Sequence, residues 1–153
     1  MPKDIECWGC DQLFSRYSTL LAHLEAQKCV VTRLQLDKLS VACPASKDFV
    51  VPGQENYLRY GRRNKYKAKA IFRGSDFYCS RCEERQFTTA AGLISHVDSS
   101  YHDPHAYRCP NCLVEFADLS GLLTHVESQS CDEKVSTGSI GKLLKYLWER
   151  IAS

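Results

Sequence analysis

The chain has 153 residues, of which 44% are hydrophobic and 25% charged, with few glycines and prolines; this composition excludes bulk disorder. No apolar run approaches the ~18 residues that a membrane-spanning helix needs. A formal net charge of +2 beside nine cysteines excludes a uniformly basic chain and leaves the thiols to be explained.

The opening Met1-Pro2-Lys3-Asp4 leads directly into a cysteine pair. No secretory signal is therefore expected, and without secretion the thiols stay reduced. An odd count also spoils a complete disulfide framework. The first cysteine-bearing segment, "CWGCDQLFSRYSTLLAHLEAQKC", sets Cys7 and Cys10 in a Cys-x-x-Cys pair and continues with Phe14, Leu20, His23 and Cys29. Next comes "VTRLQLDKL", where Thr32 is placed to cap a helix. "DFVVPG" reads as a short strand closed by a Pro-Gly turn.

Residues 57–73, "YLRYGRRNKYKAKAIFR", hold Arg59, Arg62, Arg63, Lys65, Lys67, Lys69 and Arg73 with no acidic residue, and Tyr57, Tyr60, Tyr66 and Phe72 are interleaved. From Val30 to Tyr78 ten basic residues face four acidic ones, a local net of +6 against −4 for the remainder. Such a run serves phosphate contact with base stacking, serves nuclear import, or is simply a solvated face.

The first pattern then returns twice. "CSRCEERQFTTAAGLISHVDSSYH" carries Cys79, Cys82, Phe87, Leu93, His96 and His102, with one extra residue before the Phe. "CPNCLVEFADLSGLLTHVESQSC" carries Cys109, Cys112, Phe116, Leu122, His125 and Cys131. In each copy Leu follows Phe by six positions, His follows Leu by three, and the last donor follows His by six. An apolar residue, Ile5, Phe77 or Tyr107, stands two before each first Cys. "VSTGSIGKL" repeats the post-segment motif, with Ser136 in the capping place and Cys43 aligned to Leu147. Ile140, Leu143, Leu144, Leu147 and Ile151 follow at helical spacing, widened by Trp148. Such a stripe either docks a partner in a groove or packs on its own protein, the commoner use.

Four potential ligands, a Phe and a Leu recurring three times resemble the C2H2 zinc finger, with two copies of a C2HC kind. A looser similarity links the chain to fungal proteins that carry arrays of divergent C2H2 fingers. The resemblance covers about half of the chain. It implies a small α+β protein of three ββα zinc-finger modules with additional amphipathic helices and a basic inter-finger segment. The segments are a first finger at 5–29, a post-finger helix at 30–44, the basic segment at 45–76, a second finger at 77–102, a third at 107–131 and a C-terminal amphipathic helix at 136–153. The first finger is expected to group with the helix after it, and the second and third fingers with the terminal helix.

The resemblance also implies three structural Zn2+ ions. Their ligands would be Cys7, Cys10, His23 and Cys29; Cys79, Cys82, His96 and His102; and Cys109, Cys112, His125 and Cys131. Cys43 and His105 are left over. With three zinc ions and eight thiolates the protein would be near neutral. Five residues between the last two ligands exceed one helical turn, so each helix is expected to loosen first, around Ser99-Ser100 in the second copy and Ser128 with Ser130 in the third. Four filled positions leave no open coordination site, so no enzyme is expected.

In the family, helix positions −1, 3 and 6 read bases. Here they are Arg16, Thr19 and Ala22; Thr89, Gly92 and Ser95; and Asp118, Gly121 and Thr124. Only Arg16 is a strong reader. The expected function is nucleic-acid binding with low sequence specificity, through Arg16 and the basic residues from Arg59 to Arg73, in the nucleus or else the cytoplasm. The alternative is a protein-interaction adaptor working through the finger surfaces and the C-terminal helix. No membrane partner is expected.

Overall fold

A computed structural model of the chain describes residues 3–26, 29–62, 69–82, 86–98, 103–129 and 131–152. Its secondary structure is mixed α and β, in short antiparallel strand pairs and mostly short helices. The strands are β1 (Ile5–Glu6), β2 (Leu13–Phe14), β3 (Ala70–Arg73), β4 (Asp76–Cys79), β5 (Gln86–Phe87), β6 (Tyr107–Arg108) and β7 (Glu115–Phe116). The helices are α1 (Tyr17–Glu25), α2 (Arg33–Ala42), α3 (Ser46–Phe49), α4 (Glu55–Arg59), α5 (Ala90–Asp98), α6 (Leu119–Glu127) and α7 (Gly138–Ile151). No helix among the described residues is long and apolar enough to cross a membrane.

The chain forms two compact units, Met1–Arg63 with His105–Ser153, and Asn64–Pro104. This corrects the expected grouping: the first and third Cys/His segments share a unit with the terminal helix, and the second belongs to the other unit.

In the larger unit β1 pairs with β2 and β6 with β7, each hairpin followed by its helix. The hairpins bury too little to stand alone. Their helices solve this by packing on one another. Leu20, Leu21 and Leu24 of α1 and Leu122, Leu123 and Val126 of α6 are buried in one core with Leu36, Phe49, Leu58, Ile140, Leu143 and Leu147.

The two helices also cap each other. Neither N-cap residue, Arg16 or Asp118, caps its own helix with its side chain. Instead Glu127 accepts from the Tyr17 and Ser18 amides at 2.7 and 2.9 Å. Glu25 accepts from the Leu119 and Ser120 amides at 2.9 and 3.3 Å. Each carboxylate meets two first-turn N–H groups that lack an intrahelical partner, at the positive end of the partner helix. Burial pushes the Glu25 carboxyl up to about 7, against the pull of the Ser120 and Leu119 hydrogen bonds and of Arg33.

Thr32 caps α2 as its sequence position predicts, accepting from the Gln35 amide at 3.2 Å. The N-cap of α7 is Thr137 rather than Ser136, and its side chain makes no cap. The strand read at "DFVVPG" is a correction: Ser46–Phe49 is helical, and only Val50 bridges, to Tyr107. The stripe of α7 turns inward, with Ile140, Leu143, Leu144 and Leu147 buried, and Cys43 is buried beside it as a small hydrophobe. It is therefore no docking face. Trp148 stays exposed.

One buried charge network fastens this unit. Arg62 donates to Asp37 through Nε at 2.7 Å and Nη2 at 3.2 Å, a fork onto both carboxylate oxygens. Tyr107 donates to Asp37 at 2.7 Å, and Arg62 Nη1 donates to the Ala117 carbonyl at 2.9 Å. Asp118 joins Arg33 and lies 3.4 Å from Arg62. Burial alone would lower the Arg62 pKa; the Asp37 bond and charge more than reverse it. Arg62 thus leaves the set of expected nucleic-acid contacts, because its guanidinium is buried against a carboxylate.

In the smaller unit β4 lies between β3 and β5 in a three-stranded antiparallel sheet, with α5 after it. Cys79 and Leu93 form its core with Ala70, Phe77, Cys82, Phe87 and Val97.

Arg62→Ala would strand a buried Asp37 carboxylate. It is expected to cost about 3 kcal/mol or more, read as a lowered denaturation midpoint with an unchanged m-value.

Candidate metal centres

Each Cys-x-x-Cys pair starts at a hairpin. Cys7 follows β1, Cys79 ends β4 and Cys109 follows β6. The tight turn points backbone amides at sulfur: Gly9 N lies 3.5 Å from the Cys7 Sγ and Arg81 N 3.4 Å from the Cys79 Sγ. The histidines come from the last turns of α1, α5 and α6. Each His ring rests tilted against its own Phe, with centroids 5.2 Å apart for Phe14–His23, 5.0 Å for Phe87–His96 and 5.3 Å for Phe116–His125. Leu20, Leu93 and Leu122, three residues before the histidines, are fully buried. The Phe and Leu of the repeat therefore brace the imidazole in all three copies.

The helices end soon after the histidines, as the long final gap requires. Ala26 and Ser128 are the C-caps of α1 and α6. The left-handed Gln129, at φ 60°, then turns the chain back. Cys29 and Cys131, beyond these helix ends, belong to the donor groups of the first and third copies.

Three donor groups result: Cys7, Cys10, His23 and Cys29; Cys109, Cys112, His125 and Cys131; and Cys79, Cys82 and His96. Within each, the ligand atoms all lie within 4.8 Å of one another. His102, the expected fourth donor of the second group, lies outside the described residues, as do Ser99, Ser100 and Ser130. His105 is exposed and belongs to none of these groups.

A tetrahedral zinc with Zn–S near 2.3 Å and Zn–N near 2.0–2.1 Å implies sulfur–sulfur edges of about 3.8 Å and sulfur–nitrogen edges of about 3.5 Å. Cys7 and Cys29 Sγ are 3.8 Å apart and Cys10 Sγ lies 3.5 Å from His23 Nε2. Cys82 Sγ lies 3.5 Å from His96 Nε2. The third group is slightly tighter, with Cys109–Cys131 at 3.4 Å and both Cys112 and Cys131 at 3.3 Å from His125 Nε2. The donor sets fit one metal ion per group, held through sulfur and Nε2.

The thiols favour the same occupant. Burial pushes Cys7 and Cys109 up to about 11. Thiols buried in this way become thiolates when a cation takes the proton's place. At Cys29 burial is outweighed by the Val31 amide and neighbouring hydrogen bonds, and at Cys131 the Glu133 amide leads in lowering the pKa.

The expected nucleic-acid contacts divide. Arg16, Arg59, Lys69 and Arg73 are exposed, Arg62 is buried, and Arg63, Lys65 and Lys67 lie outside the described residues. Arg59 donates to Asn56 at 2.8 Å. Of the base-reading positions, Asp118 is engaged by Arg33.

No family model matches the chain, and no curated protein or solved structure does either. The arrangement is zinc-finger-like in its donor groups, and these carry the functional argument.

A Cβ at Gly9 would meet Cys29 Sγ and Val31 Cγ2, each at 2.8 Å. Gly9→Ala is expected to weaken metal binding at the first group by about tenfold or more, given ~1–3 kcal/mol for an overpacked contact. Competitive titration of cobalt(II), followed by its visible absorbance, measures the loss.

Proposed function

We propose that the protein binds three structural zinc ions and is a nuclear nucleic-acid-binding protein of low sequence specificity, without enzymatic activity. The zinc reading is carried by the four-donor sets of the first and third groups, with the separations of the first matching the edges of a closed tetrahedron and those of the third lying slightly inside them. Three thiolates and one imidazole are soft enough for zinc. They leave no coordination position for a substrate or an activated water. In the second group His102 is assigned as the fourth ligand from its place in the repeat.

The nucleic-acid reading is supported by the second unit. Lys69, just before β3, and Arg73, at its end, are exposed. Ile71, between them, pairs with Tyr78 across the sheet. The Arg73 guanidinium lies 5.6 Å from the Tyr78 ring centroid. Cations beside an aromatic on a sheet serve phosphate contact with base stacking. Lys65 and Lys67 precede this strand in sequence and add to its charge. The base-reading positions of α5 are Thr89, Gly92 and Ser95, which favours shape and backbone contacts over base edges. The adaptor alternative loses its C-terminal helix, whose apolar stripe is already buried.

Protein purified without chelator is expected to carry three zinc equivalents by elemental analysis. It should bind labelled duplex DNA, single strands or double-stranded RNA at low salt, with affinity falling steeply as salt rises. Lys69→Ala with Arg73→Ala should flatten the duplex log–log salt slope by about 1.8, or ~0.9 per phosphate contact. Absence of binding to all three at low salt defeats the nucleic-acid reading; two or fewer zinc equivalents in folded protein defeats the zinc reading.

A further inference from the structure

We infer that α5 of the second unit is a pairing helix whose exposed face is covered by α5 of a second copy of this chain. The template for that contact lies within the chain. The first and third segments correspond residue for residue, and their helices pack through Leu21 and Leu123, both fully buried. The equivalent position in the second segment is Ile94, which is 47% exposed.

The rest of the pairing surface is present too. Val97 stands where Leu24 and Val126 stand, and Asp98 stands where Glu25 and Glu127 stand. The first turn opens with Ala90 and Ala91 in place of Tyr17-Ser18 and Leu119-Ser120. Small side chains there leave room for an approaching helix. A helix that meets its equivalent through this face forms an isologous two-fold contact, which sets Ile94 of one copy against the small first turn of the other. A lone exposed isoleucine is ordinary; this one repeats the position at which α1 and α6 are sealed in the larger unit.

The association is weak. Thr89 caps α5 locally, its hydroxyl accepting from the Gly92 amide at 3.0 Å, so α5 forms without a partner. A nine-residue helix buries well under the ~1,200–2,000 Å² of a standard stable interface. Contacts below the standard size are typically weak and transient, and we take a dissociation constant on the order of 100 μM as the expected scale. The base-reading side of α5, at Thr89, Gly92 and Ser95, lies about opposite Ile94 on the helical wheel, so a dimer keeps it free.

The test is sedimentation of the zinc-loaded full chain from about 10 to 500 μM, in the range set by that affinity. Wild type should pass from monomer to dimer. Ile94→Glu should remain monomeric while keeping its metal content and melting temperature. Trp148→Glu, on the exposed side of α7, should dimerise like wild type. A chain that stays monomeric throughout, or a dimer that survives Ile94→Glu, overturns the inference. So does loss of the dimer in Trp148→Glu alone. Hydrogen exchange over the same range separates self-association from packing within one chain: protection of α5 should rise with concentration, and concentration-independent protection also overturns it. The readout is independent of nucleic-acid binding, so the two readings fail separately.

Discussion

The fold depends on thiols and imidazoles being brought within bonding reach of one point, three times over. Hairpins of two-residue strands and helices of nine residues bury too little to order a chain on their own. Buried thiols crowded together are also poor neighbours, because each must stay protonated or find a cation. A metal ion held by these donors would resolve both problems with one set of bonds. It would supply folding free energy on the order of 10 kcal/mol and turn the sulfur cluster from a burden into the centre of the module. The Phe–His contacts and the fully buried Leu of each copy then orient the imidazole, as outer partners commonly do around metals.

Two of the three modules go further and make a shared core. Here the decisive feature is an exchange of caps. A helix start that lacks a local cap leaves amides that need an acceptor. In α1 and α6 the acceptor is the glutamate at the end of the other helix. Each helix therefore completes the other, and the leucines between them are sealed from water. The second module has a threonine where the other two have Arg16 and Asp118, caps itself, and belongs to the other unit. The same repeat thus yields a fused pair and an independent unit, and a difference at the cap position accompanies the difference in packing.

Much of this was legible from residue spacing. The donor sets follow from the interval between Phe, Leu, His and the last donor, because those intervals fix which side chains share a helix face. The early end of each helix follows from the length of the final gap. Partnership between modules was not legible, since Leu21, Ile94 and Leu123 look alike in sequence. The usable signal was finer: glutamate two residues after His23 and His125, but aspartate after His96, together with the extra residue in the second copy. Arg62 was misread for a different reason. In a run of basic residues the sequence gives no sign that one of them faces a buried carboxylate twenty-five positions upstream. Asp37 within an otherwise amphipathic helix was the available clue, since a buried carboxylate demands a partner.

That buried carboxylate also explains how a 41-residue unit, Asn64–Pro104, sits inside the sequence of another without unravelling it. Arg62 stands just before the insertion and Tyr107 just after it, and both bond to Asp37. The ends of the inserted segment are therefore fastened to one side chain of α2. Inserted units are tolerated where their ends lie close together, and the entropy of closing a longer excursion grows only slowly with its length. Gly61 and Arg62 both adopt left-handed backbone, at φ 87° and 59°. For arginine this is a strained conformation, costing on the order of 1–3 kcal/mol. The forked bond to Asp37 and the bond to the Ala117 carbonyl offset it. The strain is located at the point where the chain leaves the larger unit, and the bonds that hold it belong to that unit's own core.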